Sequence, residues 1–118
     1  MSRSAGQQHE NRALDFLKSQ GLKTVARNFH AYRGEIDLIM QDDDTLVFVE
    51  VRYRRNNMFG SAAESVTLKK QQHIAMASQC FLQTKKHYQS MPCRFDVVAI
   101  SGARAENIDW IKNGFALS

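Results

Sequence analysis

The chain has 118 residues, 43% of them hydrophobic and 24% charged, with a single proline; this is the makeup of one globular domain, residues 1 to 118, and it excludes both a disordered tail and a second core. No apolar run approaches the roughly 18 residues of a spanning helix, and the opening MSRSAGQQHENR lacks the apolar stretch of a secretory signal, so no membrane segment is expected and the expected compartment is the cytoplasm. A net charge of +4 mildly favours a polyanionic partner, while two cysteines, Cys80 and Cys93, suit reduced buried thiols rather than a disulfide framework.

Residues 6 to 20 have helical periodicity, with Ala13, Leu14 and Leu17 on one face and Gly21 as the stop. Glu10 heads that stripe, so a carboxylate opens the face that should meet the core. Residues 23 to 30 (KTVARNFH), 35 to 41 and 45 to 53 read as three strands. The polar stretch RRNNMFGSAAES then follows without periodicity, and a loop of that length is more often functional than idle. A second helix is expected over residues 67 to 88, capped by Thr67, with Ile74, Ala77 and Phe81 as its apolar stripe and Lys70 one turn before Ile74 on the same face. RFDVVAIS is a strand, SGARAE turns, and NIDWIKN is a last strand. The order is α-β-β-β-α-β-β.

Asp37 and Glu50 interrupt the most β-prone runs of the chain. A tight turn centred on Asp43 and Asp44 makes paired residue numbers sum to 87. That register pairs Ile36 with Val51, Leu38 with Val49 and Met40 with Val47 on an apolar face. Glu35 opposite Arg52, Asp37 opposite Glu50 and Ile39 opposite Phe48 make the other face. Two carboxylates about 5 Å apart repel by about 3 kcal/mol at an effective dielectric of 20. A divalent cation, a shared proton or the nearby Arg52 could neutralise them, and an all-oxygen pair suits Mg²⁺ or Mn²⁺. The plain alternative is a solvated sheet edge with ordinary salt bridges.

The assembled residues, GEIDLI with FVEVRYR, then TLKKQ and RFDVV, resemble the YraN-type uncharacterised protein family, which looks like a compact member of the restriction-endonuclease-like PD-(D/E)xK nucleases, close to archaeal Holliday-junction resolvases. The resemblance implies an α/β fold with a restriction-endonuclease-like core, α-β-β-β-α-β, its mixed sheet flanked by two helices, plus one extra C-terminal strand. It implies that Asp37, Glu50 and the carbonyl of Val51 bind the metal. Glu10 corresponds to the acidic residue of the first helix, and Lys70 or Gln71 to the polar residue of the second. Arg52 stands where the pattern usually has lysine. Arginine can hold a phosphate but cannot act as a base near neutral pH. Resolvase-like members act as dimers on two-fold junctions, so the resemblance also implies a homodimer.

Other constellations carry less. No CxxC or HxxxH spacing accompanies His73 and Cys80, so zinc is not expected. No GxxxxGKS/T phosphate cradle or nucleophile elbow occurs. Arg52, Tyr53, Arg54 and Arg55, with Lys69 and Lys70, make a phosphate-contacting strip or else a solvated charged loop. Lys85, Lys86 and His87 read as helix-end charges. The leading reading is a Mg²⁺- or Mn²⁺-dependent nuclease-like protein acting on structured or branched DNA. In that reading Asp37 and Glu50 hold the metal, Glu10 orients water or a second ion, and Arg52 grips the phosphate. The alternatives are a non-catalytic nucleic-acid-binding module on the same fold, and an interaction protein whose acidic hairpin is a salt-bridge network.

Overall fold

The computed structural model describes residues 5–31, 33–55 and 65–115. The chain runs through helix α1 (Ala5–Ser19) and strands β1 (Lys23–Ala31), β2 (Gly34–Asp42) and β3 (Thr45–Arg54). Helix α2 (Leu68–Thr84), a 3-10 turn (Lys86–Tyr88) and strands β4 (Cys93–Ser101) and β5 (Asn107–Ile111) follow. The five strands lie in chain order in one mixed sheet, with β3 and β4 parallel and the other neighbours antiparallel. This order is compatible with a nuclease-like core carrying an extra C-terminal strand. The parallel pair needs a crossover, which the segment containing α2 provides.

The helices cover opposite faces. Ala13 and Leu17 of α1 pack with Leu38, Met40, Val47, Val49, Val98 and Ile100; Ile74, Ala77 and Phe81 of α2 pack with Ile36, Ile39, Phe48 and Val97. Burial on both faces is why β2, β3 and β4 read as near-continuous apolar runs rather than alternating ones. Among the described residues no helix is long and apolar enough to cross a membrane.

The hairpin closes at Asp42–Thr45, and the sum-of-87 register holds up to Leu38–Val49. It does not run on to Asp37–Glu50, Ile36–Val51 or Glu35–Arg52. Gly34 to Ile36 pair with β1 alone, Glu50 to Arg54 pair with β4 alone, and the sheet forks between β2 and β3. Ile36 joins the α2-side cluster with Ile39 instead of sharing a face with Leu38 and Met40; the alternation breaks at Asp37, where the β1 ladder skips Asn28, which sits at φ 51°. Glu35 lies opposite His30, its Oε1 3.6 Å from Nε2.

Thr67 caps α2 as expected, its hydroxyl accepting from the Lys70 N–H. The helix ends at Thr84, short of residue 88: the Thr84 hydroxyl bonds back to the Cys80 carbonyl at 2.6 Å, and the following 3-10 turn packs Tyr88 against Phe81. Lys85, Lys86 and His87 accordingly lie beyond the helix rather than in its last turn. Cys80 is half-buried, whereas Cys93 is exposed at the start of β4, contrary to the buried thiol expected there.

Candidate functional site

The fork gathers the chemistry. With the ladder ended, the Val51 N–H lacks the carbonyl that a continued register would offer it, and Asp37 Oδ2 accepts that hydrogen bond at 2.8 Å. A short acidic side chain at this position thus replaces a missing backbone partner and ties β2 to β3 across the opening.

Glu50 lies beside it with only 3% of its surface exposed. Its Oε1 receives Lys70 Nζ at 3.0 Å, while the nearest Arg52 nitrogen is 4.0 Å away. Its Oε2 is buried with no hydrogen-bond donor among the described residues. Burial lifts the Glu50 carboxyl from the usual 4.5 to about 7; the neighbouring Asp37 charge adds to the rise and the Lys70 ammonium opposes it. Asp37 is likewise held above its usual value, first by burial, with the Val51 N–H working against the rise. Two acceptors that interact this closely can bond to each other only through a shared proton, or through a cation.

Glu10 comes from α1 on the other side of the sheet. Burial, then the charges of Asp37 and Glu35, push its carboxyl up, while Asn28 and Arg27 pull the other way. One of its oxygens, Oε1, is also buried without a donor among the described residues. Asn28 was not anticipated. It occupies the left-handed region at φ 51°, a conformation asparagine tolerates, and its side chain bonds to Glu10.

The donor chemistry of the pair fits a hard divalent cation: both groups are carboxylates, and Glu50 Oε2 is buried with no donor among the described residues. Among the described residues, however, no three His, Cys, Asp or Glu side chains are gathered closely enough to hold a metal by themselves. Asp37 and Glu50 form a pair with Glu10 standing off, the arrangement in which Mg²⁺ keeps several of its waters.

Lys70 is the cation that the fold brings to the pair. Arg52 shares the side of Glu50 but directs its Nε to the Ser65 hydroxyl at 3.0 Å. The remaining basic strip does not form one surface, because successive strand residues point to opposite faces. Tyr53 turns to the α1 side, stacked on His9 at 4.1 Å with its hydroxyl donating to the Gly102 carbonyl. Arg54 follows Arg52, and Arg55 ends the described part of this segment. Gln71 donates to the Val66 carbonyl. Lys69 is exposed at the start of α2. Of the loop singled out in the sequence, residues 56 to 64 lie outside the described residues.

Gly34 positions α2 over this fork. A Cβ there would stand 2.2 Å from the His73 carbonyl oxygen and 2.9 Å from its carbon, so only glycine lets the helix backbone come this close. The glycine opening GEIDLI was the available signal. Asp96 was also missed. Fully buried in β4, it accepts from Arg94 Nε, Trp110 Nε1 and the Asn113 N–H at 3.1, 2.9 and 3.0 Å, while Arg94 reaches on to Asp42 at 2.8 Å. An acid inside RFDVV is thereby a fastener for the β5 end of the sheet.

Residues 9–100 match the family described as Uncharacterised protein family UPF0102, the YraN-type family that the motif residues resemble. A UPF0102 protein of Saccharophagus degradans is 54% identical over 113 residues, 96% of this chain and 93% of that protein. One from Stutzerimonas stutzeri is 48% identical over 115 residues, 97% and 96% of the two chains. One from Pseudomonas putida is 47% identical over 113 residues, 94% and 92%.

Proposed function

We propose that this chain, which belongs to the uncharacterised protein family UPF0102, is a metal-dependent nuclease-like protein that hydrolyses phosphodiesters in structured or branched DNA. The observation that carries the reading is the fork itself. It sets the half-buried Asp37 beside the buried Glu50, leaves a carboxylate oxygen of Glu50 without a donor among the described residues, and brings the Lys70 ammonium 3.0 Å from the other oxygen.

Asp37 and Glu50, with the Val51 carbonyl, would hold Mg²⁺ or Mn²⁺. Such an ion supplies Lewis-acid charge to a phosphodiester and acidifies bound water. The chain's own residues do the rest. Lys70 places a compact positive charge at the carboxylate pair, where it can hold a phosphate oxygen and the developing charge on it. Arg52 is anchored through Nε at Ser65, and its Nη1, 4.0 Å from Glu50 Oε1, stands where it can turn to the same phosphate. Glu10, its proton affinity raised by burial and then by the charges of Asp37 and Glu35, would orient water on the α1 side. One feature favours a second reading, a non-catalytic nucleic-acid-binding module: arginine, which cannot give up its proton, occupies the usual lysine position.

Calorimetric titration with Mn²⁺ tests the site. The wild type should bind saturably and Asp37→Asn should lose that binding; an absence of binding in the wild type would return the pair to a salt-bridge network. Cleavage of a four-way junction then separates the two readings. Asp37→Ala should abolish it, and Arg52→Lys should raise it. Junction binding without cleavage, by both the wild type and Arg52→Lys, selects the binding module.

A further inference from the structure

Beside the carboxylate pair, between the start of β2 and the first turns of α2, lies a cavity of about 410 Å³ whose walls include the basic Arg33, Lys69 and Lys70, the acidic Glu35 and Asp37, and Thr67, His73 and Ile74. We propose that this cavity receives a single unpaired nucleotide of the bound strand, so that the protein selects duplexes with an unpaired nucleotide next to the attacked phosphate. The inference rests on the nuclease-like reading and narrows its substrate.

Two wall residues already belong to the site: Asp37 bonds the Val51 N–H, and Lys70 meets Glu50. The cavity therefore reaches the site at Asp37 and Lys70, close enough for a strand whose phosphate meets Lys70 to place its neighbouring nucleotide there. Arg33 and Lys69 are exposed, and neither makes an ion pair with another described residue. Being unspent, they suit the phosphates flanking that nucleotide. The α2 start is not itself the anion site, since the Thr67 hydroxyl already caps it. The half-buried His73 and the buried Ile74 also line the cavity, an aromatic and an apolar residue against which a base can pack.

Size decides between paired and unpaired. The volume is near the lower end of the roughly 300–1,000 Å³ of ligand pockets, room for one nucleotide and not for a stacked base pair. A base inside an intact duplex must be unstacked and unpaired to enter, at about a few kcal/mol, whereas a bulged or flap nucleotide avoids most of that cost. Gly34, against the His73 backbone, sets how closely α2 approaches β2 and so the width of the gap.

The test uses the full chain without divalent metal and two DNAs of one sequence, a continuous duplex and the same duplex with a one-nucleotide bulge, followed by fluorescence anisotropy. The bulged DNA should bind at least tenfold tighter. Arg33→Ala should reduce that preference, and His73→Trp, which fills the cavity, should erase it. A 2-aminopurine in the bulge should change its fluorescence on binding to the wild type, whereas one three base pairs away should not. This readout needs no variant to fold. Equal affinity for the two DNAs, or an unchanged 2-aminopurine signal, overturns the inference and leaves the nuclease-like reading standing. Failure to bind either DNA at low salt overturns the inference, and failure to bind the four-way junction as well overturns both.

Discussion

Replacing Glu50 by glutamine removes the one carboxyl whose proton is held from 4.5 up to about 7 by burial beside Asp37. Below pH 4.5 this group is protonated in both the folded and the unfolded chain and contributes no difference. Between 4.5 and 7 the unfolded chain releases the proton while the folded chain keeps it, so stability falls as pH rises, and above about 7 the loss is complete. At 1.36 kcal/mol per pH unit the full loss is about 3 kcal/mol, an order-of-magnitude figure because Glu50 and Asp37 titrate together. Glu50→Gln has no such titration. Urea unfolding at pH 5 and pH 8 should therefore show the wild type losing about 2–3 kcal/mol more than the variant across that interval, and any effect of the amide that does not titrate cancels in the difference. At pH 8, Mn²⁺ at about 100 times its dissociation constant should restore about 2.7 kcal/mol to the wild type and nothing to the variant. Parallel pH dependences in the two proteins would refute the reasoning, because they would mean that Glu50 is hydrated and not pressed against a second carboxylate.

Gly34→Ala should destabilise the fold by about 1–3 kcal/mol in thermal unfolding, because its Cβ meets the His73 backbone, which cannot rotate away as a side chain could. An unchanged midpoint would show that α2 does not depend on this contact. Asp96→Ala strands Arg94, Trp110 Nε1 and the Asn113 N–H without their shared acceptor. It should cost about 3–5 kcal/mol in urea unfolding, as broken buried pairs do; a loss below about 1 kcal/mol would mean that water replaces the carboxylate.

Local signals carried much of the chain. Periodicity located both helices and all five strands, the Asp43–Asp44 turn set the hairpin register, Thr67 capped α2, and Asp37 and Glu50 stood out as misfits among valines and isoleucines. Each depends on neighbours a few residues away, where spacing translates directly into faces. What the sequence could not supply was where pairing stops. The β2–β3 ladder ends at Leu38–Val49, while β1 goes on pairing with the start of β2 and the parallel β4, 47 residues along the chain, with the end of β3. The opening leaves the Val51 N–H for Asp37, and the irregularity at Asn28 and Asp37 turns Ile36 to the α2 side. The nearest cation was decided at the same level: strand alternation rightly put Arg52 beside Glu50, but the crossover that delivers α2, let in by Gly34, brings Lys70 closer. Residue types and periods thus determined the elements and the unusual charges within them. Which charges meet was left to tertiary packing, because a salt bridge or a buried carboxylate is made by surfaces that become adjacent only once the sheet has closed.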